Sequence, residues 1–181
     1  SRATILTGQY SHINGATTLS GRLDPAADNV AKHLKSAGYA TAIVGKWHLK
    51  ETPSGFDYYN VLRGQGRYQN PILYERGKDW KNGGREYEGY STDIITDQAL
   101  SCLKNREASS QPFFLMCHFK AVHEPFFNHD RYRNLLAGQE IPEPEDLFWP
   151  ESPKAKRFEG WPLEILADRY QKNPDRYPPP P

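Results

Sequence analysis

The residues of this chain that can do chemistry are cations and imidazoles, placed just after apolar runs. Lys46 and His48 follow the run Tyr39–Val44. His118, Lys120 and His123 follow the run Phe113–Cys117, and Arg2 opens the chain. Arginine brings a permanent charge in a fixed donor fork. A histidine titrates near neutrality and so gives or takes a proton at working pH. In an extended segment residues two apart point the same way, so Lys46 and His48 reach one ligand while Trp47 packs behind them. Such a set suits a tetrahedral oxyanion: cations offset the oxygens, and an imidazole gives or takes a proton. If the second strand continues, His118 and Lys120 point away from His123 and are candidates for substrate contact. His12, His33 and His129 read as structural, without metal-ligand spacing to one another or to Cys.

The elements that must carry these residues follow an α/β rhythm. Arg2 to Leu6 reads as a helix opening, whose free N–H groups and partial positive charge favour an anion. Asn14-Gly15 is a turn pair. Asp28 is placed to cap a helix over 29–36 with Val30, Ala31 and Leu34 on its apolar stripe, ended by Gly38. Tyr39–Val44 suits a buried strand. Residues 51–90 are rich in Gly, Tyr, Asn and charge, and predict a long excursion with short strands at most. Ser91 or Thr92 caps a second helix to about Asn105, with Ile95, Ala99, Cys102 and Leu103 on one face. Phe113–Cys117 is a second buried strand, and 130–137 a short third helix. Beyond Gln139 prolines dominate: 141–146 reads as extended, 163–170 as an amphipathic helix, and 178–181 as polyproline II. Binding groups in open α/β sheets gather beyond the carboxyl ends of strands, which is where Lys46, His48 and His123 fall.

The composition narrows the choices. The chain has 181 residues, enough for the core of one domain. With 23 Lys plus Arg against 22 Asp plus Glu, it lacks the basic excess of a nucleic-acid binder. No apolar run approaches the roughly 20 residues that span a bilayer. The two cysteines, Cys102 and Cys117, read as small buried hydrophobes and do not settle the redox compartment.

Arg2-Ala3-Thr4-Ile5-Leu6-Thr7-Gly8, followed by Gly45-Lys46-Trp47-His48-Leu49, resembles the type I sulfatases, hydrolases with a formylglycine nucleophile. The family signature reads Cys (or Ser)-x-Pro-Ser-Arg-x-x-x-x-Thr-Gly. Ser1-Arg2 and Thr7-Gly8 fill its second half, so the nucleophile is expected just upstream of Ser1. Ala121-Val122-His123-Glu124-Pro125 resembles the family's Pro-His-x-Pro stretch, with Val122 where Pro is common. Lys50 stands where the family usually has Gly.

The resemblance implies an alkaline-phosphatase-like three-layer α/β/α sandwich, present here as a partial domain. Residues 1–137 would be the central part of the catalytic domain, and 138–181 a Pro-rich segment packing on or extending it. It implies that Arg2 holds the formylglycine hydrate near the metal and that Lys46 contacts nucleophile and sulfate. It also implies that His48 bonds the formylglycine hydroxyl and helps expel sulfate, and that His123 serves the leaving oxygen.

A divalent metal is implied too, calcium or else magnesium, held by carboxylates outside these residues. Asp57, Asp93 and Asp97 do not match the family positions, and no metal ligand is assigned within the chain. Gly64-Gln65-Gly66-Arg67-Tyr68-Gln69-Asn70-Pro71 resembles a segment of bacterial sulfatases acting on sulfated glycans, including those similar to N-acetylglucosamine-6-sulfatases. Tyr68, with Tyr74, Trp80, Tyr87 and Tyr90, would offer flat faces to sugar rings.

The expected activity is sulfuric ester hydrolysis on a sulfated saccharide. Its expected partner is a formylglycine-generating or sulfatase-maturating enzyme, and its setting is periplasmic, secreted or lysosomal. Two alternatives share the pocket: a phosphonate monoester or phosphodiester hydrolase of the same fold, and a sulfatase-like protein that binds anions or glycans without turnover. Without nucleophile and metal ligands, the chain alone is expected to be inactive.

Overall fold

Ile43 and Val44 are adjacent in sequence and both fully buried, although neighbours on a strand point to opposite faces. The strand that holds them must therefore be covered on both sides. In the computed structural model, which describes residues 2–142 and 172, this is the case. The elements run α1 (Arg2–Thr7), α2 (Ser11–Asn14), α3 (Val30–Ser36), β1 (Ala40–Lys46), β2 (Tyr58–Leu62), β3 (Ile72–Glu75), β4 (Gly84–Glu86), α4 (Ser91–Lys104) and β5 (Phe113–His118). The chain falls into two compact units, residues 1–123 and 124–181, and all of these elements lie in the first.

The sheet has the order β4-β3-β2-β1-β5. β1 runs parallel to both β2 and β5, and β3 and β4 add an antiparallel margin. On one face Ile43, Tyr59 and Val61 pack with Ala3 and Leu6 of α1 and Ala31 of α3. On the other, Val44, Leu62 and Leu73 pack with Ile95 and Ala99 of α4. The result is three layers, helix, sheet and helix. Each fully buried Val, Leu or Ile contributes about 1.5–3 kcal/mol to holding them together. In this register Lys46 lies opposite Leu62, and Gly45 lies opposite both Val61 and His118. The carboxyl ends of the three parallel strands thus finish side by side.

Several local expectations are corrected. The cap of α3 is Asn29, whose Oδ1 accepts from the Lys32 amide at 3.1 Å, while its Nδ2 reaches Ser54. Asp28 instead pairs with His33 at 2.7 Å in solvent. α4 begins at Ser91 itself, after Tyr90, and has no side-chain cap. Its start is set by the backbone: the Ser91 amide donates to Tyr68 O at 2.7 Å.

The excursion over 51–90 contains a core strand, β2. Its middle residue, Asn60, hides it from a hydrophobicity reading, yet Asn60 is buried because its Nδ2 donates to Tyr87 Oη at 2.9 Å. Cys102 and Cys117 are half-buried and free, and burial pushes both thiols up. In the second unit the expected helix over 130–137 shortens to one 3-10 turn, Asp130–Tyr132. Leu135 and Leu136 are exposed, so no apolar face repays the cost of nucleating a helix. The expectations for 143–146, 163–170 and 178–181 lie outside the described residues.

Two backbone positions shape the end of β1. Gly45 has φ 89°, and a Cβ on it would sit 1.9 Å from His118 O. Lys50, where the sulfatase pattern has Gly, keeps a left-handed φ of 67°. In the complete protein, Gly45→Ala is expected to cost more than about 3 kcal/mol, because backbone must move. Lys50→Gly is expected to stabilise by about 0.5–1 kcal/mol, and Lys50→Val to destabilise by at least that much. Urea unfolding curves measure all three. A Gly45→Ala midpoint equal to the parent, or a Lys50→Val midpoint above that of Lys50→Gly, contradicts this account.

Candidate active site

Arg2 reaches the end of the sheet because α1 is anchored from below. Ala3 and Leu6, one turn apart, are buried in the core beside Ala31 and Ile43. Thr7 Oγ1 donates to Ala3 O at 2.8 Å, and Gly8 closes the helix with φ 67°. Arg2 is left half-buried, and burial lowers its pKa from the ordinary value. Its Nε is buried with no hydrogen-bond partner among the described residues. A buried guanidinium N–H left open in this way is free to take an acceptor.

Lys46 is the last residue of β1 and only 3% exposed. Its Nζ donates to Gln65 Oε1, in the loop after β2. Burial, then the charges of Arg2 and Lys120, push its pKa down to about 8. The segment after it is not extended. His48 has φ 57°, so the alternation argument that aligned Lys46 with His48 does not apply. What orients the turn is Trp47. It is buried, packs edge-on against Phe56 at 6.3 Å, and donates from Nε1 to Glu51 O at 2.6 Å. His48 still lies in the field of the same group. Burial first, then Lys46, Lys50, Arg2 and His123, lower its pKa and keep it neutral near pH 7. Every charge bearing on Lys46 and His48 in this way is positive.

β5 supplies the remaining residues. His118 ends the strand, and its Nδ1 lies 3.2 Å from Lys46 O, to which it donates in the Nδ1-protonated tautomer. Burial lowers its pKa, the Lys46 carbonyl raises it in part, and Arg2 lowers it further. The strand does not continue to His123. Residues 120–123 form a turn in which the His123 amide donates to Lys120 O at 3.0 Å, so the expected opposition of Lys120 and His123 is replaced by a shared loop. The Ala121–Val122 peptide within it is cis. Lys120 is 4% exposed, with Nζ 4.7 Å from the Tyr68 ring centroid. A cleft of about 360 Å3 opens here, lined by Arg2, Ile5, Cys117, His118, Phe119 and Ala121.

Arg2, Lys46, His48, His118, Lys120 and His123, drawn from distant parts of the chain, are therefore gathered at one end of the sheet. Tyr68 is gathered there too, but not as a sugar platform. It is 5% exposed, its ring stacks on Tyr90 at 5.9 Å, and Lys120 covers it. Gln65 was not singled out by sequence. A neutral glutamine in a glycine-rich loop carries no chemical signature, and the one local signal is its pair of flanking glycines, of which Gly66 has φ 71°. A larger cavity, about 450 Å3, opens at the amino end of β1 and β5 beside Asp57, Glu75 and Arg106. Its charges are of mixed sign and it lies at the end of the strands away from the imidazoles, whereas the smaller cleft is lined by Arg2 and His118 of the gathered groups.

The gathered groups do not fit a divalent cation. Hard cations take oxygen ligands, whereas this cluster presents guanidinium, ammonium and imidazole nitrogen. Among the described residues no group of three or more His, Cys, Asp or Glu is placed to hold a metal. Likewise, no described helix is long and apolar enough to cross a membrane.

The comparisons with known proteins agree with this geometry. The sulfatase family model matches residues 1–157. An N-acetylglucosamine-6-O-sulfatase of Bacteroides thetaiotaomicron is 41% identical over 151 residues, covering 82% of this chain and 26% of its own length. The N-acetylglucosamine-6-sulfatase of Capra hircus is 30% identical over 156 residues, covering 75% of this chain and 28% of that protein. A solved structure of a complex with the substrate D-glucosamine-2-N,6-O-disulfate superposes with a TM-score of 0.74 at 40% identity, over 81% of this chain and 29% of that one. The chain thus spans about a quarter of the length of the curated relatives it matches, and its helix–sheet–helix layering is the alkaline-phosphatase-like arrangement of the sulfatases. With this family match and this identity, the chain belongs to the sulfatase family.

Proposed function

We propose that this chain is part of a sulfuric ester hydrolase that removes sulfate from O6 of a glucosamine-type sugar. The observation that carries this reading is the buried excess of positive charge around Arg2, Lys46 and Lys120, next to an unpartnered guanidinium Nε. A sulfate ester is anionic throughout the working pH range and offers tetrahedral oxygens to those donors. Relatives named for the 6-sulfate of N-acetylglucosamine support this choice of sugar and position.

Formylglycine, when present, supplies an oxygen nucleophile. The groups of this chain do the rest. Arg2 and Lys46 offset charge on the sulfuryl oxygens, with Gln65 steadying the Lys46 ammonium. His123 holds the proton that the leaving sugar oxygen needs. His48, kept neutral by burial and by its cationic neighbours, is ready to accept one. Metal ligands are assigned to parts of the protein outside these residues, and a maturating enzyme that installs formylglycine is its expected partner.

Two measurements test the proposal. The complete protein, matured by such an enzyme, is expected to release sulfate from N-acetylglucosamine 6-sulfate with kcat/KM at least about tenfold above that for the galactosamine epimer. No release by matured protein, or faster cleavage of phosphonate monoesters or phosphodiesters, overturns it.

The second measurement is a pH profile. The Lys46 pKa of about 8 means that its charge is present below that pH and is lost above it. Since kcat/KM reports the free enzyme, it should fall as pH rises through about 8. Lys46→Arg, whose charge persists, should move that limb out of range. Lys46→Ala should lower kcat/KM by about 10²- to 10³-fold. A basic limb unchanged in Lys46→Arg would show that another group sets it.

A further inference from the structure

The turn 120–123 carries two of the groups just assigned, yet it follows β5, a strand at the edge of the described sheet. Within the turn Val122 is 83% exposed, whereas Lys120 is 4% exposed. Tyr68 reaches the turn at both ends. The phenol donates to His123 O at 2.6 Å, and its ring lies beneath Lys120 Nζ at 4.7 Å. Tyr68 is itself firmly mounted. Its carbonyl accepts from the Ser91 amide at 2.7 Å, and its ring stacks nearly parallel on Tyr90, with an interplanar angle of 14°. The next residues are tied to the same place: Gln69 bridges Tyr90, and Asn70 exchanges bonds with Gly89 through its amide and its Oδ1, both at 2.9 Å.

We infer that Tyr68 is a positioning residue: it transfers the rigidity of the start of α4 to the 120–123 turn, fixing where His123 and Lys120 meet the sulfate ester. The inference rests on the sulfatase reading of those two residues. It assigns the hydroxyl and the ring separate tasks. The hydroxyl locates the His123 backbone and hence the proton donor. The ring gives the buried ammonium a face to rest on and so fixes where its charge lies. Burial pushes the phenol's pKa up, so the hydroxyl stays a donor across the working range. A sugar-stacking role is incompatible with a ring that is 5% exposed.

The experiment uses the complete matured enzyme with Tyr68→Phe and Tyr68→Leu. It reads kcat and KM on N-acetylglucosamine 6-sulfate, the inhibition constant of inorganic sulfate, and the melting temperature. Tyr68→Phe removes one hydrogen bond and keeps the ring. Its kcat should fall about five- to tenfold, with the sulfate inhibition constant within about twofold of the parent. Tyr68→Leu removes both tasks and should also raise that constant about fivefold.

Tyr68→Phe with parental kcat overturns the inference. So does a Tyr68→Leu enzyme whose KM for the sugar rises while kcat and sulfate inhibition hold, since that pattern belongs to ring stacking. A lowered melting temperature with unchanged kinetics also overturns it, leaving Tyr68 only structural. If Tyr68→Leu does not fold, Tyr68→Phe decides. If the parent releases no sulfate, the substrate reading fails separately, and calorimetric titration of inorganic sulfate into parent and Tyr68→Leu still decides the clamp: equal affinities sink it.

Discussion

The site depends on how closely two strands approach at their carboxyl ends. β1 and β5 meet at Gly45 and His118, with room for a hydrogen atom where any other residue would place a methyl group. That approach sets Lys46 O beside His118 Nδ1, and the two side chains begin from adjacent backbone. β2 completes the group from the other side, with Leu62 opposite Lys46 and the Gln65 loop folding back to the ammonium. A looser junction would separate the lysine from the imidazoles by the width of a side chain. The chemistry is thus a consequence of main-chain packing before it is a matter of side-chain identity.

Gathering like charges in this space is unfavourable, and the structure shows how the fold tolerates it. Lys46 and Lys120 are both almost fully buried, and each ammonium is met by a neutral group. For Lys46 this is an amide oxygen, and for Lys120 the face of a tyrosine. The depressed pKa of Lys46 records what remains uncompensated. On the proposed reading, an anionic ester offsets that deficit on binding. His48 is held neutral by burial and by the same cations, which suits the base role proposed for it.

Reading along the chain recovers the parts that local chemistry determines. The strands near Tyr39–Val44 and Phe113–Cys117 are visible because a strand covered on both faces must be apolar without interruption. α4 is visible because Ile95, Ala99 and Cys102 recur at helical spacing. β2 is not visible, because the amide nitrogen of Asn60 at its centre is met by Tyr87 and Gln98, partners far away in sequence. Asp28 and Asn29 are equally good caps on paper, and the choice fell to Asn29 because its second amide atom reaches Ser54. The segment 130–137 has helical spacing but no surface to pack on, and ends as one turn.

By itself the sequence determined the family, the layered α/β class and the identities of the cationic and imidazole groups, since these follow from residue type, order and spacing. Only the tertiary structure decided how those groups are presented. His48 sits on a left-handed turn rather than an extended one. Lys120 and His123 share a loop instead of opposing one another. Tyr68 faces the interior, and Gln65 enters the site. The physical reason is the same for each: orientation is set by contacts between residues distant along the chain, and such contacts leave no periodicity for the sequence to display.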